Sequence, residues 1–224
     1  MNLVIAASRL WDSRLPAEVA RRTGHECHLV TQPEELTAER LAALAPRYVL
    51  FPHWSHRIPR EIHEAFECVI FHMTDLPFGR GGSPLQNLIA REIYETKICA
   101  LRCVEEMDAG PVYLRRPLSL HGSAQEIYLR ATGIVQDMMV ELVNTSPPAI
   151  PQEGKPVLFR RRTPAEGDLA SLDRLEEVFD HIRMLDADGY PPAFMDIGRF
   201  RLEFRRASYR GESICADVII TERP

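Results

Sequence analysis

His72 stands where an apolar run gives way to a loop crowded with glycine and proline. Before it, Val69, Ile70 and Phe71 read as a short strand buried on both faces of a parallel sheet. After it, Pro77, Gly79, Gly81, Gly82 and Pro84 forbid regular structure until Leu85, Leu88 and Ile89 take up a helical period, with Pro84 at a favoured first position. A strand, rigid loop and helix of this kind deliver a polar side chain to the carboxyl end of a sheet, where α/β folds keep their sites. An imidazole there can exchange a proton near neutral pH, and a carboxylate beside it would fix its orientation, which suits acid/base work on an attacking amine. His25-Glu-Cys-His28 has metal-ligand residue types. It reads as strand, however, where neighbours point to opposite faces, and no second ligand pair follows, so no metal is expected.

The segment from Cys68 to Ile89 resembles the folate-dependent formyltransferases, whose pattern is Asn-x-His-x-Ser-Leu-Leu-Pro, then Arg-Gly and a helix. His72, Thr74, Leu76, Pro77, Arg80-Gly81 and Gln86 fall into place, with Thr for Ser and Asp75 where Leu is usual. A second patch, Val104 to Tyr113, is similar to the family's Asp-x-Gly segment, which implies Asp108 as the partner of His72 and the backbone of Val104, Glu106 and Met107 as a pterin contact. A third, Tyr48 to Pro59, looks like the opposite wall of the folate pocket, with Arg57, Ile58 and Pro59 at the contacting positions. The resemblance implies N10-formyltetrahydrofolate as formyl donor and covers roughly residues 1–145. In it, Asp108 orients His72 and helps remove the amine's proton while His72 steadies the formyl oxygen.

One position departs from the family. The asparagine expected two residues before the histidine is Ile70, which cannot donate a hydrogen bond. Losing one oxyanion donor typically costs ~3 kcal/mol in the transition state. Replacements are His72 in its protonated form, an ordered water, Asn87 or His53; the strand-end positions favour His72 helped by water or His53. Without a replacement, the chain is a folate-binding relative that has lost transfer or a hydrolase that releases formate.

Apolar runs at 3–7, 27–31, 48–52, 68–72 and 98–104 alternate with helical patterns at 15–22, 37–45, 58–66 and 84–94, a doubly wound, mostly parallel Rossmann-like α/β layout. A strand at 112–118 and a long helix from Ser123, with Glu126 in capping-box position, complete a catalytic domain at 1–146. Beyond Pro147-Pro148, residues 147–224 read as a small α+β appendage: a strand at Val157 to Phe159, a helix from Leu169 to Leu185, and β runs at 199–206 and 213–221. His181 to Phe194 resembles the linker into the C-terminal part of sugar and tRNA formyltransferases.

The 224 residues, 45% of them apolar and 26% charged, suffice for a substantial core. No run approaches the ~20 apolar residues of a membrane span. Met1 to Ala7 read as a strand without a basic leader, so a cytoplasmic location is expected. Five cysteines, mostly in apolar runs, suggest packed thiols and no disulfide framework. A net charge of −5 lacks the basic balance of most nucleic-acid binders, and no nucleic-acid partner is expected. That balance, and the resemblance of the late linker to surface-polysaccharide enzymes, favour the amine of a nucleotide-linked amino sugar as acceptor. Methionyl-tRNA or another small amine is the alternative. Phe200, Leu202 and Phe204, alternating with arginines, could pack against a second chain in a homodimer.

Overall fold

The computed structural model describes residues 1–9 and 12–223. They form two compact units, each discontinuous in sequence: residues 1–81, 96–118 and 129–158, and residues 82–95, 119–128 and 159–223.

The strands of the first unit are β1 (Asn2–Ala6), β2 (Glu26–Val30), β3 (Tyr48–Pro52), β4 (Cys68–His72), β5 (Phe78–Gly81), β6 (Glu95–Arg102), β7 (Val112–Ser119) and the start of β8 (Val157–Phe159). Six of them make one sheet in the order β2-β1-β3-β4-β6-β7. The first four are mutually parallel, and β6 runs antiparallel to β4. Leu3, Val4, Ile5 and Ala6 of β1 are wholly buried, as a parallel strand covered on both faces requires. Between the strands lie α1 (Leu15–Thr23), α2 (Ala38–Leu44) and α3 (Arg60–Ala65). α1 begins with a proline in its first turn and ends at Gly24 in the left-handed conformation (φ 71°); Thr37 caps α2 by accepting the Arg40 N–H. The chain reverses its order across the sheet between β1 and β3, which places the carboxyl ends of β1, β3 and β4, with Arg9, Asp12, His53 and His72, along one edge of a doubly wound sheet.

Asp12 is buried at that edge. One carboxylate oxygen accepts the Thr132 hydroxyl at 3.0 Å, and Oδ2 has no partner among the described residues. Burial pushes its carboxyl from 3.8 up to about 7, against the smaller opposing pulls of Thr132 and Arg9. Between those values the folded chain keeps a proton that the unfolded chain has released. The stability this group contributes is therefore complete below 3.8 and is lost as pH rises through about 7, at ~1.4 kcal/mol per pH unit. Asp12→Asn should flatten that slope in urea melts across the window; an unchanged pH dependence would contradict the assignment.

The second unit takes α4 (Pro84–Ile89) from the middle of the chain and adds α6 (Leu175–Leu185) and an antiparallel sheet ordered β11-β10-β9 from β9 (Ala193–Ile197), β10 (Phe200–Tyr209) and β11 (Ile214–Glu222). α5 (Ala124–Thr145) begins in this unit and continues into the first. Arg183 of α6 is buried there: Nε donates to Asp180 at 2.6 Å, and Nη1 donates to the Leu120 and Gly122 carbonyls at 2.6 and 2.9 Å, while Nη2 has no hydrogen-bond partner among the described residues. Two expectations are adjusted. The helix anticipated from Leu169 starts only at Leu175, because the Leu169 N–H donates to the Phe194 carbonyl at 2.8 Å and that end of the segment joins β9. Tyr190 to Phe194, read as linker, runs into β9, where Ala193 and Phe194 are buried and pair with Phe204 and Glu203.

The division expected at 146–147 falls inside the first unit, which continues to Leu158. The stretch after Pro147-Pro148 is held there by reciprocal main-chain hydrogen bonds between Ile150 and Val112, at 2.8 and 2.9 Å. Among the described residues no helix is long and apolar enough to cross a membrane.

Candidate active site

β4 carries His72 to the end of the sheet, where the residue is only 6% exposed. Its Nε2 lies 2.8 Å from the Gly79 carbonyl, which also accepts the Thr74 hydroxyl at 3.3 Å. A carbonyl can only accept, so Nε2 carries a proton. The other ring nitrogen, Nδ1, is 3.6 Å from Asp108 Oδ2, longer than a hydrogen bond. Asp108 has a left-handed backbone (φ 52°), which aspartate tolerates better than most residues. Its Oδ2 accepts the Gly81 N–H at 2.9 Å. The histidine and carboxylate that the resemblance paired are thus brought together by two segments, 73–81 and 103–111.

The loop of Asp108 closes tightly on β6. The Arg102 N–H donates to the Pro111 carbonyl at 2.9 Å, and a Cβ at position 110 would stand 1.8 Å from the Arg102 carbonyl oxygen. That close approach is the physical reason for glycine two residues after the aspartate.

The loop after β3 meets the loop of Asp108 through Arg57, whose Nη2 donates to Glu105 at 3.1 Å. Arg57 is exposed, whereas Ile58 is 9% exposed and packed into the core with Val49, Phe51 and Ile62, so its side chain is a packing element and only its backbone is free to face a ligand. Pro59 and Val104 are half-buried. Glu106 extends to solvent and pairs with Arg80 at 3.1 Å; Met107 is 69% exposed, an apolar side chain held out on the same loop.

His53 follows β3 directly, with φ 44°. Burial, reinforced by the positive charge of Arg9, depresses its imidazole to about 4. At neutral pH it is a neutral donor or acceptor and no source of positive charge. Ile70 packs against both core clusters of the first unit and offers no polar atom. Asn87 does not supply the missing donor: both hydrogens of its amide are spent, on the Gly82 and Arg160 carbonyls at 3.0 and 2.9 Å. Two polar groups escaped the sequence reading. The indole N–H of Trp54, in the loop after β3, is buried with no acceptor among the described residues; an aromatic directly after the Pro-His that ends an apolar run was its only signal. Gln152 contacts the Asp108 loop from a distant, proline-rich stretch that carries no motif.

Comparison with known proteins decides the family. A methionyl-tRNA formyltransferase from Clostridium thermocellum is 45% identical, the alignment covers 100% of both chains, and the TM-score is 0.97. The chain belongs to the formyltransferase family. Residues 164–221 match the family model described as methionyl-tRNA formyltransferase, C-terminal domain. The methionyl-tRNA formyltransferase of Wolinella succinogenes is 25% identical over 162 residues, 68% of this chain and 52% of the relative, so the chain spans about half the length of that curated relative. Two more distant structures share the fold: HypX from Aquifex aeolicus in complex with tetrahydrofolic acid, with 19% identity, TM-score 0.73 and coverage of 92% of this chain and 37% of that one, and a sugar N-formyltransferase from a Shewanella species, with 15% identity, TM-score 0.70 and coverage of 94% and 98%.

These matches overturn two expectations. The amino-sugar nucleotide was favoured as acceptor, yet the relative that matches across both full lengths is a methionyl-tRNA formyltransferase, while the sugar enzyme resembles the chain in fold alone. The exclusion of a nucleic-acid partner rested on net charge, and it fails because a global sum says nothing about local concentration. Arg160, Arg161 and Arg162 are consecutive in a chain whose overall charge is −5.

Proposed function

We propose that this chain transfers the formyl group of N10-formyltetrahydrofolate to the amine of methionyl-tRNA. The observation that carries the reading is the buried His72–Asp108 pair at the end of β4, in a chain 45% identical over its full length to a protein of that name. The residues present fit a folate: the loops after β3 and β6 are linked by Arg57 and Glu105, one presents the unsatisfied Trp54 N–H and the other the outward Met107. Arg57, Ile58 and Pro59 on one side, and Val104, Glu106 and Met107 on the other, are the residues to hold it, Ile58 through its backbone. When bound, the folate supplies an activated formyl carbon.

The amine must shed a proton as it attacks that carbon. Asp108, 10% exposed at its side chain, is the carboxylate placed to take it, and its charge faces His72 Nδ1 across 3.6 Å. The Nε2–H of His72, held on the Gly79 carbonyl at 2.8 Å, is the donor that the formyl oxygen would recruit. With Ile70 in place of an amide, this proton, turned from the Gly79 carbonyl to the formyl oxygen, is the donor, and such a donor is worth about a hundredfold in rate or more.

Arginines support the acceptor's identity. A cleft in the second unit is lined by Ser83, Gln86, Arg161, Arg162 and Tyr190. Arg161 is exposed and has no partner among the described residues. Burial, the largest influence, lowers the Arg162 guanidinium from its usual range. In this reading Arg161 meets an RNA phosphate. Arg161→Ala should then raise the KM for tRNA several-fold and reduce the salt slope of binding by about 1; filter binding at graded salt with an unchanged slope would remove Arg161 from the interface.

The function itself is tested by incubating the protein with N10-formyltetrahydrofolate and methionine-charged initiator tRNA and measuring formylmethionine after hydrolysis of the ester. Formate released without formylmethionine would replace this reading with a hydrolase.

A further inference from the structure

We propose that Gln152 is the positioning residue of Asp108, acting as a two-sided clamp between the loop that carries the carboxylate and the Arg80-Gly81 turn. The inference rests on the reading of Asp108 and His72 as the catalytic pair.

Gln152 uses its whole amide. Nε2 donates to the main-chain carbonyls of Asp108 and of Gly110, each at 2.8 Å, and Oε1 accepts from Arg80 Nε at 3.1 Å and Nη2 at 2.9 Å. Arg80 is bonded to Gly81, whose N–H holds Asp108 Oδ2 at 2.9 Å. The contacts therefore close a ring: the Asp108 side chain to Gly81, Gly81 to Arg80, Arg80 to Gln152, and Gln152 back to the Asp108 main chain. A left-handed aspartate is strained and persists only where its surroundings over-determine it; Asp108 has φ 52°. The other tie from Arg80 to this loop is its pair with Glu106, which is 76% exposed and so contributes little.

Only a primary amide of this length serves. Glutamate keeps an acceptor for Arg80 but loses both N–H donors and sets a carboxylate against two carbonyls. Asparagine is one methylene short. The segment bearing Gln152 is anchored independently, through the Ile150–Val112 hydrogen bonds, so a change in the side chain alone leaves the backbone there in place.

The test compares Gln152→Glu, Gln152→Ala and Asp108→Ala, singly and combined, in the full chain. Displacing a supporting partner typically costs 10- to 100-fold. The expected result is a fall in kcat of that size for both Gln152 variants, with KM for N10-formyltetrahydrofolate and for methionyl-tRNA unchanged, and no additional loss when Gln152→Ala is placed on Asp108→Ala. Additive losses, or a rise in KM with kcat intact, would overturn the proposal.

A second readout needs no activity. Hydrogen exchange of the Gly81 amide reports whether Asp108 Oδ2 is in place, and it should quicken at least tenfold in Gln152→Glu, as in Asp108→Ala, while amides of β4 stay protected. A Gly81 amide that exchanges as in the parent overturns the clamp whatever the assay shows. If Asp108→Ala leaves transfer intact, the catalytic pair is wrong, while the exchange result still decides whether Gln152 holds Asp108.

Discussion

Asp108→Asn should lower formyl transfer by about 10²- to 10⁴-fold, the range expected for removal of a positioned proton-transfer group, and His72→Asn should cost about a hundredfold or more through the lost donor to the formyl oxygen. The asparagine at 72 is too short to place an N–H where His72 Nε2 stands. That at 108 keeps the left-handed backbone, which Asn accepts as readily as Asp, and removes only the charge. Both side chains are about nine-tenths buried and sit 3.6 Å apart, so neither role passes easily to water. Single-turnover rates with saturating folate and tRNA are the measurement, because they isolate chemistry from product release. Because the two act as one unit, the double variant should be little worse than either single. Near-parental turnover in either single variant would remove the pair from the mechanism.

Gly110→Ala should be severely damaging for a single added methyl group. The added Cβ would fall 1.8 Å from the Arg102 carbonyl oxygen, a backbone atom held in β6 that cannot swing aside. The loop must move instead, which breaks the Arg102–Pro111 hydrogen bond and the Gln152 contact to the Gly110 carbonyl. A stability loss on the order of 3 kcal/mol is expected from such strain, read as a lower urea midpoint at unchanged slope. Activity should fall by ~100-fold or more even in the fraction that folds, since a displacement near 1 Å suffices for that. Parental stability and activity together would mean that the loop has slack which the packing does not suggest.

The acidic balance of the chain misled about partners because net charge averages over the whole surface, whereas recognition of a phosphate depends on the few cations that meet it. The lesson is visible at Arg160-Arg161-Arg162: Arg160 is paired with Glu166 at 2.9 Å, and Arg161 beside it is not paired within the described residues. Residue types gave the triplet, and only the fold separated the committed arginine from the available one. Asn87 makes the same point: as sequence it was a candidate donor, and as structure its hydrogens are spent on two carbonyls.

What the sequence determined by itself is local. Alternation of apolar runs with helical periods gave β1 to β4 and their helices within a few residues, because strands buried on both faces need unbroken apolar runs and helices need a 3.6-residue stripe. The order of His72, Thr74, Pro77 and Arg80-Gly81 gave the family resemblance. Tertiary structure decided what depends on contacts distant in sequence. It set the antiparallel entry of β6 beside β4, the discontinuous make-up of the two units, the neutral state of His53, and the reach of Gln152 back to the Asp108 loop, 44 residues away. A strand's composition does not encode its neighbour's direction, and a burial-driven pKa shift or a clamp of two carbonyls exists only once separate segments have been brought together.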